Sequence, residues 1–119
     1  MAMREITEVY ARVLLEHHRR VCRSRCLARK RIDGDDIDAC LITYSELCNR
    51  AGRGVPAGSG LFLGELHTWC CDHKLPKLNS LAVKKATRRP GFNYPGEIDA
   101  WERDVRECIS FTGYPAKIP

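Results

Sequence analysis

Residues Ile42-Thr43-Tyr44-Ser45-Glu46-Leu47 decide how the rest of the chain is read. Thr43 and Glu46 have the spacing of a capping box. A threonine hydroxyl accepts from the backbone N–H three residues on, and a glutamate there can reach back to the N–H of the threonine. This predicts a short helix over about 44–51, stopped by Gly52. The next stretch, Arg53-Gly54-Val55-Pro56-Ala57-Gly58-Ser59-Gly60, has loop composition, and Ser59 is placed to cap a second helix over about 60–73. Leu61, Phe62, Leu66, Trp69 and Cys70 share one face of that helix, which Leu75-Pro76 ends.

Downstream, Leu78–Val83 is a strand candidate. Ala86-Thr87-Arg88-Arg89-Pro90-Gly91 is a turn, and Phe92-Asn93-Tyr94 can pair back as a second strand. The product would be a β-hairpin wing with a basic tip. Glu97–Phe111 reads as a C-terminal helix. Its apolar stripe is Ile98, Trp101, Val105, Cys108 and Ile109, with Glu97 and Asp99 suited to the positive end of its dipole.

Upstream, residues 5–30 carry no Gly or Pro. Ile6, Val9, Tyr10, Val13, Leu14 and Val21 recur at helical spacing with His17 among them, which predicts one long N-terminal helix. Asp33-Gly34-Asp35-Asp36 breaks it and begins a new element. Residues 37–41 are ambiguous between a helical turn and a short strand. The expected fold is a single α+β domain over 1–119, mainly helical. Its parts are a winged helix-turn-helix-like core at 43–96, a small β-hairpin, and flanking N- and C-terminal helices.

With 44% hydrophobic and 29% charged residues, the composition argues against disorder of the whole chain. No apolar run reaches the ~20 residues that span a bilayer. No apolar h-region follows Met1-Ala2-Met3-Arg4-Glu5-Ile6, so a cytoplasmic location is the default expectation. Seven cysteines is an odd number. In that compartment they are expected as reduced, mostly buried small residues rather than a disulfide framework.

The net charge of +5 is unevenly placed. One basic cluster runs from Arg19 through Arg23 to Arg31, and a second comprises Lys74, Lys77, Lys84, Lys85, Arg88 and Arg89. Basic side chains at a hairpin tip suit phosphate contact, whereas a basic run on a helix is more often a solvated face.

From about Leu41 to Gly96 the order of signals resembles the DNA-binding domain of the alkylguanine-DNA alkyltransferases and alkyltransferase-like proteins. Thr43-Tyr44-Ser45-Glu46-Leu47 is similar to that family's helix start, and Gly60-Leu61-Phe62-Leu63-Gly64 to its recognition-helix core. The resemblance implies that Tyr44 lies near the DNA backbone. It also marks two departures. The family's reactive Pro-Cys-His-Arg run is replaced by Lys77-Leu78-Asn79-Ser80, which excludes alkyl transfer by that route. The family's intercalating Arg falls at about Gly60, which has no side chain to insert.

Two groups have metal-ligand residue types, His18/Cys22/Cys26 and His67/Cys70/Cys71/His73. Neither has the spacing of a standard zinc site, and core burial is the preferred reading, with Cys70 inside and Cys71 partly exposed. Cys71 with His67 or His73 lacks a sequence signal for an orienting group or an oxyanion hole. The glycines at 52–60 lack the Lys-Ser/Thr ending of a phosphate loop. Neither a catalytic site nor a cofactor is expected.

The expected function is therefore non-catalytic binding of double-stranded DNA or a nucleoprotein complex. The residues expected to contact it are Tyr44, Lys74, Lys77, Lys84, Lys85, Arg88, Arg89, Arg19 and Arg23. The alternative is a phage or mobile-element inhibitor of a host defence complex, anti-CRISPR-like, that binds an effector protein. A homodimer through the N-terminal helix is compatible with both.

Overall fold

A computed structural model of the chain describes residues 5–23, 34–52, 59–90, 100–111 and 113–115. Helix α1 (Glu5–His17) begins with Glu5 and Glu8 at the positive end of its dipole. It buries Tyr10, Ala11, Leu14 and Leu15. It then passes directly into a π-helical turn, His18–Arg23. An i→i+5 ladder absorbs an extra residue relative to α-helix. This moves the inward position from the expected Val21, which is half-buried, to Cys22, which is fully buried. The remainder of the predicted first helix, including Cys26, lies outside the described residues, as does the side chain of Arg23.

The ambiguous segment resolves as helix α2 (Gly34–Cys40), with Asp36, Ile37 and Cys40 buried. A two-residue strand β1 (Ile42–Thr43) follows and leads without a loop into α3 (Tyr44–Arg50). Thr43 is the N-cap, and its Oγ1 accepts from the Glu46 N–H at 3.2 Å. The Glu46 carboxylate does not close the box. It turns forward to Arg50 at 2.6 Å, because a guanidinium one turn ahead is a stronger partner than a backbone amide. Gly52 (φ +79°) sits just past the helix end, as expected of a C-terminal glycine.

Helix α4 (Ser59–Asp72) buries Leu63, Leu66 and Cys70 at i, i+3 and i+7. Its end is a Schellman motif: Leu75 N–H donates to Cys70 O (2.9 Å) and Lys74 N–H to Cys71 O (3.1 Å). Lys74 occupies the left-handed position that usually takes Gly (φ +55°).

Only the last part of the predicted strand at 78–83 is extended. Leu78–Leu81 forms a buried 3-10 turn, and Ala82–Val83 is strand β2. The Ser80 hydroxyl and the Ser80 N–H both donate to Lys77 O, at 2.6 and 3.0 Å, and this local closure competes with extended backbone. β2 pairs in parallel with β1, Ile42 opposite Ala82 and Thr43 opposite Val83. The antiparallel partner expected at 92–94 lies outside the described residues.

Helix α5 (Trp101–Ser110) presents Trp101, Val105, Cys108 and Ile109 to the core, and Trp101 Nε1 donates to Ser80 O at 2.9 Å. Residues 97–99 of its expected first turn lie outside the description. The architecture is mainly helical α+β with a small parallel sheet. α3, α4 and the 3-10 turn all pack on α1, and α5 closes over the 3-10 turn and the π-helical turn. Among the described residues no helix is long and apolar enough to cross a membrane.

Candidate nucleic-acid interface

The parallel register sets the geometry of the strongest candidate surface. Thr43 and Val83 are partners, so the chain leaves both strands at the same end of the pair. Tyr44 enters α3 there, and Lys84 enters the loop beside it. Tyr44 is half-buried against the core, while Lys84 and Lys85 are exposed. Two predicted contacts 40 residues apart in sequence are thereby brought to one edge.

The loop from Lys84 to Arg89 is closed on itself. Lys84 N–H donates to Arg89 O and Arg88 N–H to Lys84 O, both at 2.9 Å. Its four cations do not share one role. Arg88 lies in the left-handed region (φ +56°), which costs an ordinary residue about 1–2 kcal/mol. Its guanidinium grips Asp38 of α2, with Nε on the carboxylate at 2.9 Å and Nη2 on the main-chain carbonyl at 2.7 Å. The Arg89 guanidinium carbon lies 5.8 Å from the centroid of the Trp101 ring, within cation–π range. Lys84 and Lys85 are exposed residues of this loop. Asp38 is a partner of Arg88 that sequence reading missed, because it lies in the 37–41 segment that was ambiguous between a helical turn and a strand and 50 positions from the arginine.

The remaining expected contacts are dispersed. Lys74 is exposed and Lys77 half-buried beyond the end of α4. Arg19 and Arg20 are exposed on the π-helical turn, and Arg20 lies 3.9 Å from Glu16. An open groove of about 330 Å³ is lined by Val13, Glu16, Arg20 and Arg50. Each of its arginines faces a glutamate one turn back, so the groove is charge-balanced and a weak seat for an anion. Helix α4 carries Glu65 and Asp72 and no Lys or Arg, an unfavourable charge for a helix expected to approach a groove of DNA.

The described histidines are engaged by hydrogen bonds within the fold. His17 Nε2 donates to Cys40 O and His18 Nε2 to Cys108 O, both at 2.8 Å. His18 and Cys22 are buried, and His73 Nδ1 donates to Trp69 O at 2.9 Å while its ring stacks on Trp69. His67 Nδ1 accepts from Asn79 Nδ2 at 3.2 Å. Its pKa is lowered by burial first and by nearby Lys77 second. Cys70 is buried and Cys71 exposed. Among the described residues no three His, Cys, Asp or Glu side chains converge so as to hold a metal ion.

Comparison with known protein families, with curated proteins and with solved structures finds no match to this chain.

Proposed function

We propose that the protein is a non-catalytic nucleic-acid-binding protein that receives double-stranded DNA, free or within a nucleoprotein, on the edge where Tyr44 and the Lys84–Lys85 loop emerge together. The observation that carries this is the Thr43–Val83 register, which brings the half-buried Tyr44 and the exposed residues Lys84 and Lys85 to one edge. Phosphate contacts of this kind position a duplex without reading its sequence. The winged-helix reading is supported by the order α3, α4, β2. The charge of α4 favours contact through the loop and the start of α3 rather than through a groove-seated α4.

Fluorescence anisotropy with a random-sequence duplex tests this across 50–200 mM salt, where counterion release makes log K linear in log salt. Binding is expected to weaken with salt. K84A and K85A should each reduce the magnitude of the slope by about 0.9, the share of one phosphate contact. Y44A should lower affinity and leave the slope unchanged. No binding at the lowest salt, or a slope indifferent to both lysine variants, overturns the proposal.

A further inference from the structure

We infer that the bond from His17 to the Cys40 carbonyl is a pH-sensitive latch, which in acid releases helix α2 locally, before the rest of the protein unfolds. Helix α2 is seven residues long. A helix that short is not stable by itself and is held by what it packs on. It lies against the π-helical turn and α5, with Asp36, Ile37 and Cys40 buried. At its C-terminal end the Cys40 carbonyl accepts from His17 Nε2 at 2.8 Å, and the Cys22 thiol donates to the same oxygen at 3.7 Å. A thiol is a weak donor, so the imidazole is the strong tether at that end.

The ring keeps this bond easily when neutral and at a cost when charged. Protonation adds a solvent proton to Nδ1, which is buried with no acceptor in the protein. A buried donor without a partner carries its full desolvation penalty, and a buried charge a larger one. The charged groups around the ring do not compensate. Arg50 of α3 and Arg20 of the π-helical turn repel a positive ring, while Glu46 of α3 attracts it. The glutamates are engaged elsewhere: Glu46 binds Arg50 at 2.6 Å, and Glu16 lies 3.9 Å from Arg20. Burial above all, then the two arginines, keeps the ring's pKa below the ordinary 6.5 against the opposing pull of the Cys40 bond and Glu46. Relief comes by breaking the bond. The imidazolium reaches water and α2 loses its tether. The grip of Arg88 moves with α2, because both atoms it holds, the carboxylate and the carbonyl of Asp38, belong to that helix.

The open form, with His17 at its ordinary pKa, takes up one proton that the closed form refuses. Opening of α2 is therefore indifferent to pH above 6.5, and becomes easier by up to about tenfold per pH unit below it, until the closed-form pKa is reached.

Native-state hydrogen exchange of the whole chain between about pH 5 and 8 tests this, read as protection factors so that the intrinsic pH dependence of exchange is removed. The amides of residues 38–41 should lose protection below pH 6.5 with that slope, while amides of α4 and α5 stay about tenfold or more better protected. H17Q, which can still donate to Cys40 O but does not titrate in this range, should give a flat profile over 38–41. Ring nitrogen shifts of His17 in the native protein need no variant. They should show the Nε2-protonated tautomer above pH 6.5, and protonation of Nδ1 should coincide with the loss of α2 protection. Exchange of 38–41 in step with α4 and α5, or indifferent to pH, overturns the latch. So does a His17 that becomes charged while 38–41 keep their protection.

Discussion

His17 Nε2 donates to the carbonyl of Cys40 at 2.8 Å, and its other ring nitrogen, Nδ1, is buried with no hydrogen-bond partner in the protein. A carbonyl only accepts, so the proton must sit on Nε2, and the neutral ring is the form the site suits. Burial is the main cause of a pKa lowered from the ordinary 6.5. The Cys40 bond and Glu46 oppose the shift, and Arg50 and Arg20 reinforce it.

The unfolded chain therefore binds more protons than the folded one just below pH 6.5. Stability is fully present above that value and is lost as pH falls through the lower, folded-state pKa of His17. His67 shifts in the same direction and adds to the loss. Urea midpoints measured between pH 5 and 8 should fall on the acid side, and His17→Gln, whose amide can still donate to Cys40 O, should shallow that fall. An unchanged pH profile in the variant would falsify this account of His17.

Thr43→Ala removes the side-chain acceptor for the Glu46 N–H at the start of α3. It should cost about 1 kcal/mol, read as a lower urea midpoint at constant m-value. Thr43→Ser should recover most of it, since the hydroxyl is what the cap uses.

Lys74 holds the left-handed position of the Schellman motif at the end of α4 (φ +55°). Lys74→Gly should stabilise the fold by about 0.5–1 kcal/mol. Relief of backbone strain there outweighs the added freedom of glycine in the unfolded chain. A thermal melt that moves downward would show that the lysine side chain contributes more than its backbone costs.

Burial raises the thiol of Cys70 to about 11 and that of Cys108 to about 12, the latter despite a hydrogen bond from Tyr114. The nucleophile in thiol chemistry is the thiolate, so both should resist maleimide or disulfide reagents at pH 8 until the protein unfolds. Cys71 is exposed and should be modified in the native state. Peptide mapping of a timed reaction distinguishes the neighbours Cys70 and Cys71 directly. Early modification of Cys70 would contradict its placement in the core.

What could be read in the chain beforehand was whatever depends on near neighbours. The Thr43 cap, the Gly52 stop, the Leu66–Cys70 part of the α4 face (though not Leu63, which is buried where Phe62 and Trp69 are half-buried) and the Trp101–Val105–Cys108 face all follow from contacts within a turn or two. The parallel pairing of Ile42–Thr43 with Ala82–Val83 had no such signal, because two residues are too few to show a period and their partner is remote. The π-helical turn escaped notice because nothing in His18–Arg23 departs from ordinary helix-forming composition. The site divides the same way. Lys84, Lys85, Arg88 and Arg89 look alike as a basic run, and only Asp38, 50 positions away, sets Arg88 apart as an anchor of the loop.

The tiny sheet also constrains the order of folding. Bringing Ile42 to Ala82 closes a loop of about 40 residues, an entropic cost of roughly 3 kcal/mol that so short a ladder cannot offset alone. Helices α3 and α4 must first be gathered on α1 by burial of their apolar faces, after which the strands meet at little further cost. The pairing is thus a late event in assembly, and the edge carrying Tyr44 and Lys84 acquires its shape only once the rest of the protein has folded.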